Sequence, residues 1–249
     1  MKKQILAVMV GLSVVLAGCS TQNTESMLQE VKKDAKEVKS GKATMMLSMK
    51  NEKNSSAGSS GYEVSGDEKF DPLELKMNGK FFQGDKSRDI EDYIKDGVYY
   101  IKGNIGSKTV WYKEKVSTDN KHALNFKDQS ISMQEGILNL LDNKDNWDVT
   151  KDGDKVTFKL KKTDELKNKV IEERVKKISK QVKFSEFDYT IEYVFNTKTK
   201  DIEKIVSELN FKTEGSTTKG TVKGSLEEIN KEVKIEMPEE SKSAVELKK

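Results

Sequence analysis

Apolar and polar residues alternate through most of this chain, and a period of two predicts β-strands that bury one face. The pattern is clear in residues 43–49, 73–81, 109–115 and 187–195. A polar stretch at residues 51–61 interrupts it and predicts a loop. Further strands are predicted at residues 205–211, 222–226 and 233–235. With two hairpins added, the alternation predicts about ten or eleven strands.

Two Asp-Gly pairs predict the turns of those hairpins. Asp96-Gly97 lies in the middle of residues 93–100, and Asp152-Gly153 lies in the middle of residues 147–161. Both central residues of a tight hairpin turn adopt positive φ angles, which glycine and aspartate tolerate. Each pair therefore predicts two adjacent antiparallel strands.

Three segments repeat apolar residues every three or four positions, as amphipathic helices do. They span residues 25–39, 130–142 and 163–180. Thr24 is placed to cap the first helix, and Gly41 is placed to end it. Many strands with few helices predict a single domain of the α+β class, mainly antiparallel. Its one curved sheet would be covered on one face by helices.

The composition limits both the core and the partners. Charged residues make up 35% of the chain and apolar residues 34%, so the core must be thin and spread along the sheet. Lysine and arginine total 45 against 42 acidic residues. The charges are interleaved and no basic stripe is paired with stacking aromatic residues, so no nucleic-acid partner is expected.

The chain is also poor in residues that carry metal or nucleophilic chemistry. It has one cysteine, Cys19, and one histidine, His122, which lies in a polar segment. An internal disulfide, a zinc site or a Cys–His pair cannot be assembled from them. Close carboxylates are unavoidable in so charged a chain and indicate no particular reaction. We therefore predict no metal, no cofactor and no enzymatic activity.

The first residues resemble a bacterial lipoprotein leader. Lys2 and Lys3 precede an uncharged apolar run at residues 5–16, which is too short to span a bilayer comfortably. The run leads into a segment that resembles a lipobox, formed by Leu16, Ala17, Gly18 and Cys19. This resemblance implies cleavage before Cys19, a diacylglyceryl group on its thiol, and attachment to the outer side of a cell membrane. The predicted divisions are a signal peptide at residues 1–18, a lipidated tether at 19–24 and a domain at 25–249.

Several short motifs, taken in order, resemble a known fold family. They are the lipobox, Ser40-Gly41 after a helix, Tyr93-Ile94 before Asp96-Gly97-Val98-Tyr99-Tyr100, Trp111-Tyr112-Lys113, and Ile235-Glu236-Met237-Pro238 near the end. This order is similar to that of Gram-positive lipoproteins with a LolA/LppX-like domain. The resemblance implies a half-open β-barrel with helices across its concave face and a non-catalytic domain. The better-known members of that fold carry lipids or acyl chains.

Alternation directs a set of large apolar side chains to one side of the predicted sheet. The candidate cleft residues are Met45, Leu47, Phe81, Trp111, Phe158, Tyr189 and Tyr193. A lipid or other hydrophobic ligand is the expected partner. The first alternative is a surface protein-interaction module with a fully packed core, and an open cleft of several hundred Å³ would separate the two. A second alternative is that the leader, after cleavage, gives a short apolar peptide, residues 12–18, similar to enterococcal sex pheromones. The oligomeric state is left open.

Overall fold

One 12-stranded sheet organises the chain. The computed structural model describes residues 21–53, 58–105, 108–117, 125–178 and 182–247. The strands are β1 (Ser40–Asn51), β2 (Ser59–Phe70), β3 (Leu73–Gln83), β4 (Lys86–Lys95), β5 (Val98–Ile105), β6 (Lys108–Lys115), β7 (Trp147–Asp152), β8 (Lys155–Leu160), β9 (Phe184–Asn196), β10 (Asp201–Thr213), β11 (Thr218–Glu227) and β12 (Val245–Glu246).

The strands follow the order β12-β6-β5-β4-β3-β2-β1-β11-β10-β9-β8-β7, and every pairing is antiparallel except the short parallel contact of β12 with β6. The sheet does not close, because β12 and β7 lie at its two edges. The predicted fold class is confirmed: one curved, mainly antiparallel sheet forms a half-open barrel, with helices on its concave face. Both predicted Asp-Gly hairpins are present, as β4–β5 and β7–β8.

Two long helices and two short ones accompany the sheet. They are α1 (Thr21–Lys36), α2 (Phe126–Gln129), α3 (Glu135–Leu138) and α4 (Asp164–Ile178). Helix α1 begins four residues before the predicted start and ends three residues before the predicted end, and Gly41 lies inside β1 and does not end the helix. Within the described residues, no helix is both long and apolar enough to cross a bilayer.

The single helix predicted at residues 130–142 is wrong. The chain instead makes α2 and α3 with 3₁₀ turns between and after them, and Ser130 and Gln134 adopt extended backbone angles. The side-chain amide of Gln134 donates to the carbonyl oxygens of Asp128 at 3.1 Å and Ser130 at 3.0 Å. A side chain that bonds the backbone in this way competes with helical hydrogen bonds, so the segment breaks into turns.

Two strand assignments also differ from the prediction. The predicted loop at residues 51–61 overlaps the start of β2. The sequence pattern missed this strand because its core-facing positions include Gly66 and Glu68. No strand forms at residues 233–235, although Ile235 is buried. The last strand is β12, further along the chain.

The main core lies between the concave face and the helices. It contains Leu28 and Val31 of α1, Val170 of α4, and large side chains of the central and later strands. Phe158, Ile191 and Tyr193 are fully buried there. Because Tyr193 faces Phe158 on β8 and Ile205 on β10, all three side chains lie on the same side of the sheet.

A second cluster, which we call the outer cluster, lies on the opposite face. It consists of Tyr93, Trp111, Ile235 and Ala244. The rings of Tyr93 and Trp111 meet edge to face with centroids 5.7 Å apart. The described buried apolar residues of both clusters fall between Met27 and Ala244, so a chain that starts at Ser20 retains them all.

Candidate functional site

A partly open cavity of about 190 Å³ lies on the concave face. Strands β1, β2, β10 and β11 form its floor, and residues 126–131 together with α4 form its other walls. Its apolar lining includes Met45, Leu47, Tyr62, Ile131, Leu209 and Val222. These side chains converge because they occupy concave-facing positions of four neighbouring strands and of the turn at Ile131.

Strand register aligns part of that lining into one row. Leu47 lies opposite both Tyr62 and Val222, and Val222 lies opposite Leu209. The row continues beyond the cavity to Phe81, the cross-strand partner of Tyr62. Tyr62 is 36% exposed and Phe81 is 41% exposed, although both are large and hydrophobic. We call this pair the exposed ledge.

A serine cluster lies at the polar part of the cavity lining, which also includes Gln129, Arg174 and Lys223. The hydroxyl of Ser130 lies 3.1 Å from that of Ser207 and 2.6 Å from that of Ser132. Below it, the Tyr193 hydroxyl donates to the carbonyl oxygen of Ser132 at 2.5 Å. Burial raises the pKa of Tyr193, so this hydroxyl keeps its proton and holds the 3₁₀ turn Ile131–Met133 against the sheet.

Glu68 is a fully buried acid at the concave side of β2. Its Oε1 accepts a hydrogen bond from the backbone N–H of Phe126 at 3.0 Å, and its Oε2 has no partner among the described residues. Burial raises the pKa of Glu68 from 4.5 to about 8, the Phe126 hydrogen bond opposes this, and Asp128 adds to it. Glu68 is therefore mostly protonated at neutral pH, and it fixes the start of the segment that walls the cavity.

Arg174 on α4 supplies a positive charge to the cavity wall. Its Nε is buried and has no hydrogen-bond partner among the described residues. Burial lowers the pKa of its guanidinium, and the neighbouring Tyr62 acts in the opposite direction. The sequence pattern gave no sign of this residue, because α4 carries many other charges and only the fold shows which one faces the cavity.

The structure separates the predicted cleft residues into four groups. Met45 and Leu47 line the cavity, and Phe81 forms the exposed ledge beside it. Phe158, Tyr189 and Tyr193 lie on the concave face but are at most 2% exposed, because the helices and turns cover them. Trp111 was placed wrongly: it pairs with Lys102 in register and faces the outer cluster.

The proposed anchor and the histidine cannot be placed. Leu16, Ala17, Gly18, Cys19 and His122 lie outside the described residues. In the part of the chain that the structure does describe, no group of three or more His, Cys, Asp or Glu side chains is arranged to hold a metal ion.

Comparison with known proteins finds similarity to solved structures only. No protein-family model and no curated protein sequence matches the chain. Among solved structures it is similar to LprF from Mycobacterium bovis, with 13% identity, a TM-score of 0.46, and coverage of 89% of this chain and 99% of LprF. It is also similar to the Mycobacterium tuberculosis lipoprotein LppX, with 12% identity, a TM-score of 0.38, and coverage of 87% of this chain and 100% of LppX. LprF and LppX are lipoproteins of the LolA/LppX-like fold, the fold family that the sequence motifs resemble.

Proposed function

We propose that this protein is an extracytoplasmic lipoprotein, anchored to the membrane by lipid on Cys19, that binds an acyl chain or similar hydrophobic ligand on its concave face. The observation that carries the proposal is the apolar row from Leu209 through Leu47 to the exposed ledge. A large aromatic pair left open beside an apolar cavity indicates a binding surface. Its role is binding, not catalysis.

The size of the cavity limits how a ligand can be held. Dry apolar cavities of about 150 Å³ are large enough for a benzene molecule. The cavity of about 190 Å³ therefore holds one segment of a long chain, and the remainder would lie along the exposed ledge. Each methylene removed from water contributes about 0.8 kcal/mol, so both parts add to the affinity.

The alternative of a protein-interaction module has support of its own. Phe158 and Tyr193 belong to a closed core, and the cavity is smaller than the several hundred Å³ expected of a ligand cleft. The exposed ledge would then contact a protein partner. Blocking the cavity separates the two functions, because a protein partner would not need to enter it.

We expect the substitution Leu47→Trp to abolish ligand uptake. Leu47 lines the cavity and is only half-buried, so a larger side chain can occupy the cavity without disturbing the closed core. The measurement is native mass spectrometry of a chain starting at Ser20, in which the natural protein should retain adducts of lipid mass and take up a fluorescent fatty acid. Ser48→Trp is the matched control, because Ser48 is the next residue of β1 and points to the other face.

The control should bind as the natural protein does. Clean spectra of the natural protein, with no uptake of the fatty acid, would contradict ligand binding and favour the interaction module. Equal uptake by the Leu47→Trp variant would show that the ligand lies elsewhere on the molecule.

We expect the substitution Cys19→Ala to remove the protein from the mature membrane-bound form. Without the thiol there is no site for the diacylglyceryl group, and an unanchored domain does not stay at the membrane. Metabolic labelling with an alkyne fatty acid, followed by fractionation, measures both effects. Ser20→Ala is the control and should be labelled normally. Labelling of the Cys19→Ala protein at the mature size would rule out the anchor.

A further inference from the structure

We propose that the ligand is an amphiphile with one long chain and an acidic headgroup, either a carboxylate or a phosphate, and that Arg174 binds this headgroup. The inference rests on the proposed ligand-binding function and specifies its ligand class. The observation that supports it is the half-buried guanidinium of Arg174 in the cavity wall, beside apolar side chains, hydroxyl groups and the amide of Gln129. Lys223 also lines the cavity, but its ammonium is paired with Glu208 at 3.1 Å.

Two other cations of α4, Lys169 and Lys176, are already paired. Lys169 bonds Glu165 at 2.7 Å, and Lys176 bonds Glu173 at 2.6 Å. Arg174 makes no ion pair with any carboxylate of the described chain, and its Nε is buried without an acceptor. A positive charge that loses water and gains no partner is costly, so such a group is expected to have an acceptor in its functional state.

The chemistry of the guanidinium selects the acceptor. Arginine presents five N–H donors in a planar fork, which matches the paired oxygens of a carboxylate or phosphate. Tyr62 and Ser207, which line the same cavity, have hydroxyl groups that can assist. The apolar row at Leu47, Val222 and Leu209 lies on the floor of that cavity. An acidic head at Arg174 and a chain along this row satisfy the charged and apolar parts of the site together.

Four probes test this assignment on a chain that starts at Ser20. Palmitate and hexadecyl phosphate carry both parts of the ligand, hexadecanol carries the chain alone, and inorganic phosphate carries the headgroup alone. Binding is measured by titration calorimetry, with circular dichroism and thermal melting to confirm that each variant is folded.

We expect Arg174→Gln to weaken binding of palmitate and hexadecyl phosphate by about 10- to 100-fold, as the loss of hydrogen bonds to a charged group predicts. Binding of hexadecanol should change by less than about threefold. Arg174→Lys should restore part of the affinity for the acidic amphiphiles, because it keeps the charge but not the fork. Lys176→Gln is the matched control on the same helix. It should change the binding of neither the acidic amphiphiles nor hexadecanol.

The outcomes distinguish this inference from the proposed function. If hexadecanol binds as tightly as palmitate and Arg174→Gln affects both equally or neither, the headgroup assignment is overturned while ligand binding stands. If inorganic phosphate binds as tightly as hexadecyl phosphate, the site is one for small anions and the amphiphile is overturned. If no amphiphile binds the natural protein, the proposed function fails and this inference fails with it.

Discussion

Replacing Glu68 with glutamine is expected to raise the free energy of unfolding by about 3 kcal/mol at pH 7. The pKa of Glu68 is about 8 in the folded protein and 4.5 in the unfolded chain. At pH 7 the interval that counts runs from pH 4.5 to pH 7, about 2.5 units, and each unit corresponds to about 1.4 kcal/mol. Glutamine is neutral at every pH and keeps an oxygen to accept the hydrogen bond from the Phe126 N–H.

Stability increases in the variant because the folded protein holds the proton of Glu68 more tightly than the unfolded chain does. Between pH 4.5 and pH 8 the folded protein retains the Glu68 proton and the unfolded chain releases it, so the natural protein loses stability as the pH rises through this window. The Glu68→Gln variant does not lose stability in this way, because glutamine does not titrate. Urea unfolding at pH 5, 6, 7 and 8 should show a difference that grows with pH. Glu63→Gln, at an exposed position of the same strand, is the control and should show none. A difference that is constant with pH would contradict the buried-acid assignment.

Truncating Phe158 to alanine should lower the free energy of unfolding by about 3–5 kcal/mol, the cost of removing a buried aromatic side chain. Phe158 has no exposed surface and contributes to the main core. The matched variant is Phe81→Ala, which removes the same side chain from the exposed ledge and should cost less than about 1 kcal/mol. Chemical unfolding of both variants measures the contrast.

That pair of variants also distinguishes a closed concave face from an open one. If Phe158 lined an open cleft, its truncation would create no buried cavity. The losses in free energy of unfolding for Phe158→Ala and Phe81→Ala would then be similar. Equal costs would therefore contradict the closed core.

The alternation of apolar residues predicted most strands because a one-sided sheet forces that pattern on its sequence. The prediction failed where core-facing positions are not apolar. Strand β2 places Gly66 and Glu68 toward the core, so its pattern was hidden. The helix at 130–142 failed for a different reason, because the Gln134 amide captures backbone oxygens that a continuous helix would use.

The candidate site was only partly predictable because it depends on how strands pair. Within one strand, alternation places Met45 and Leu47 on the same face, and both do line the cavity. The alternation within a strand does not determine its register with neighbouring strands. The prediction therefore assigned Trp111 to the wrong face of the sheet. Arg174 and the extent of helix cover over Tyr189 and Tyr193 follow from tertiary packing alone.

The early start of α1 has a consequence for how the domain would sit above a membrane. Helix α1 begins at Thr21, two residues after Cys19, and two extended residues reach at most about 7 Å. The helix is fixed to the rest of the domain, since Lys32 bonds Asp142 at 2.6 Å and Leu28 and Val31 are buried. A lipid on Cys19 would therefore hold the domain close to the bilayer in a restricted set of orientations.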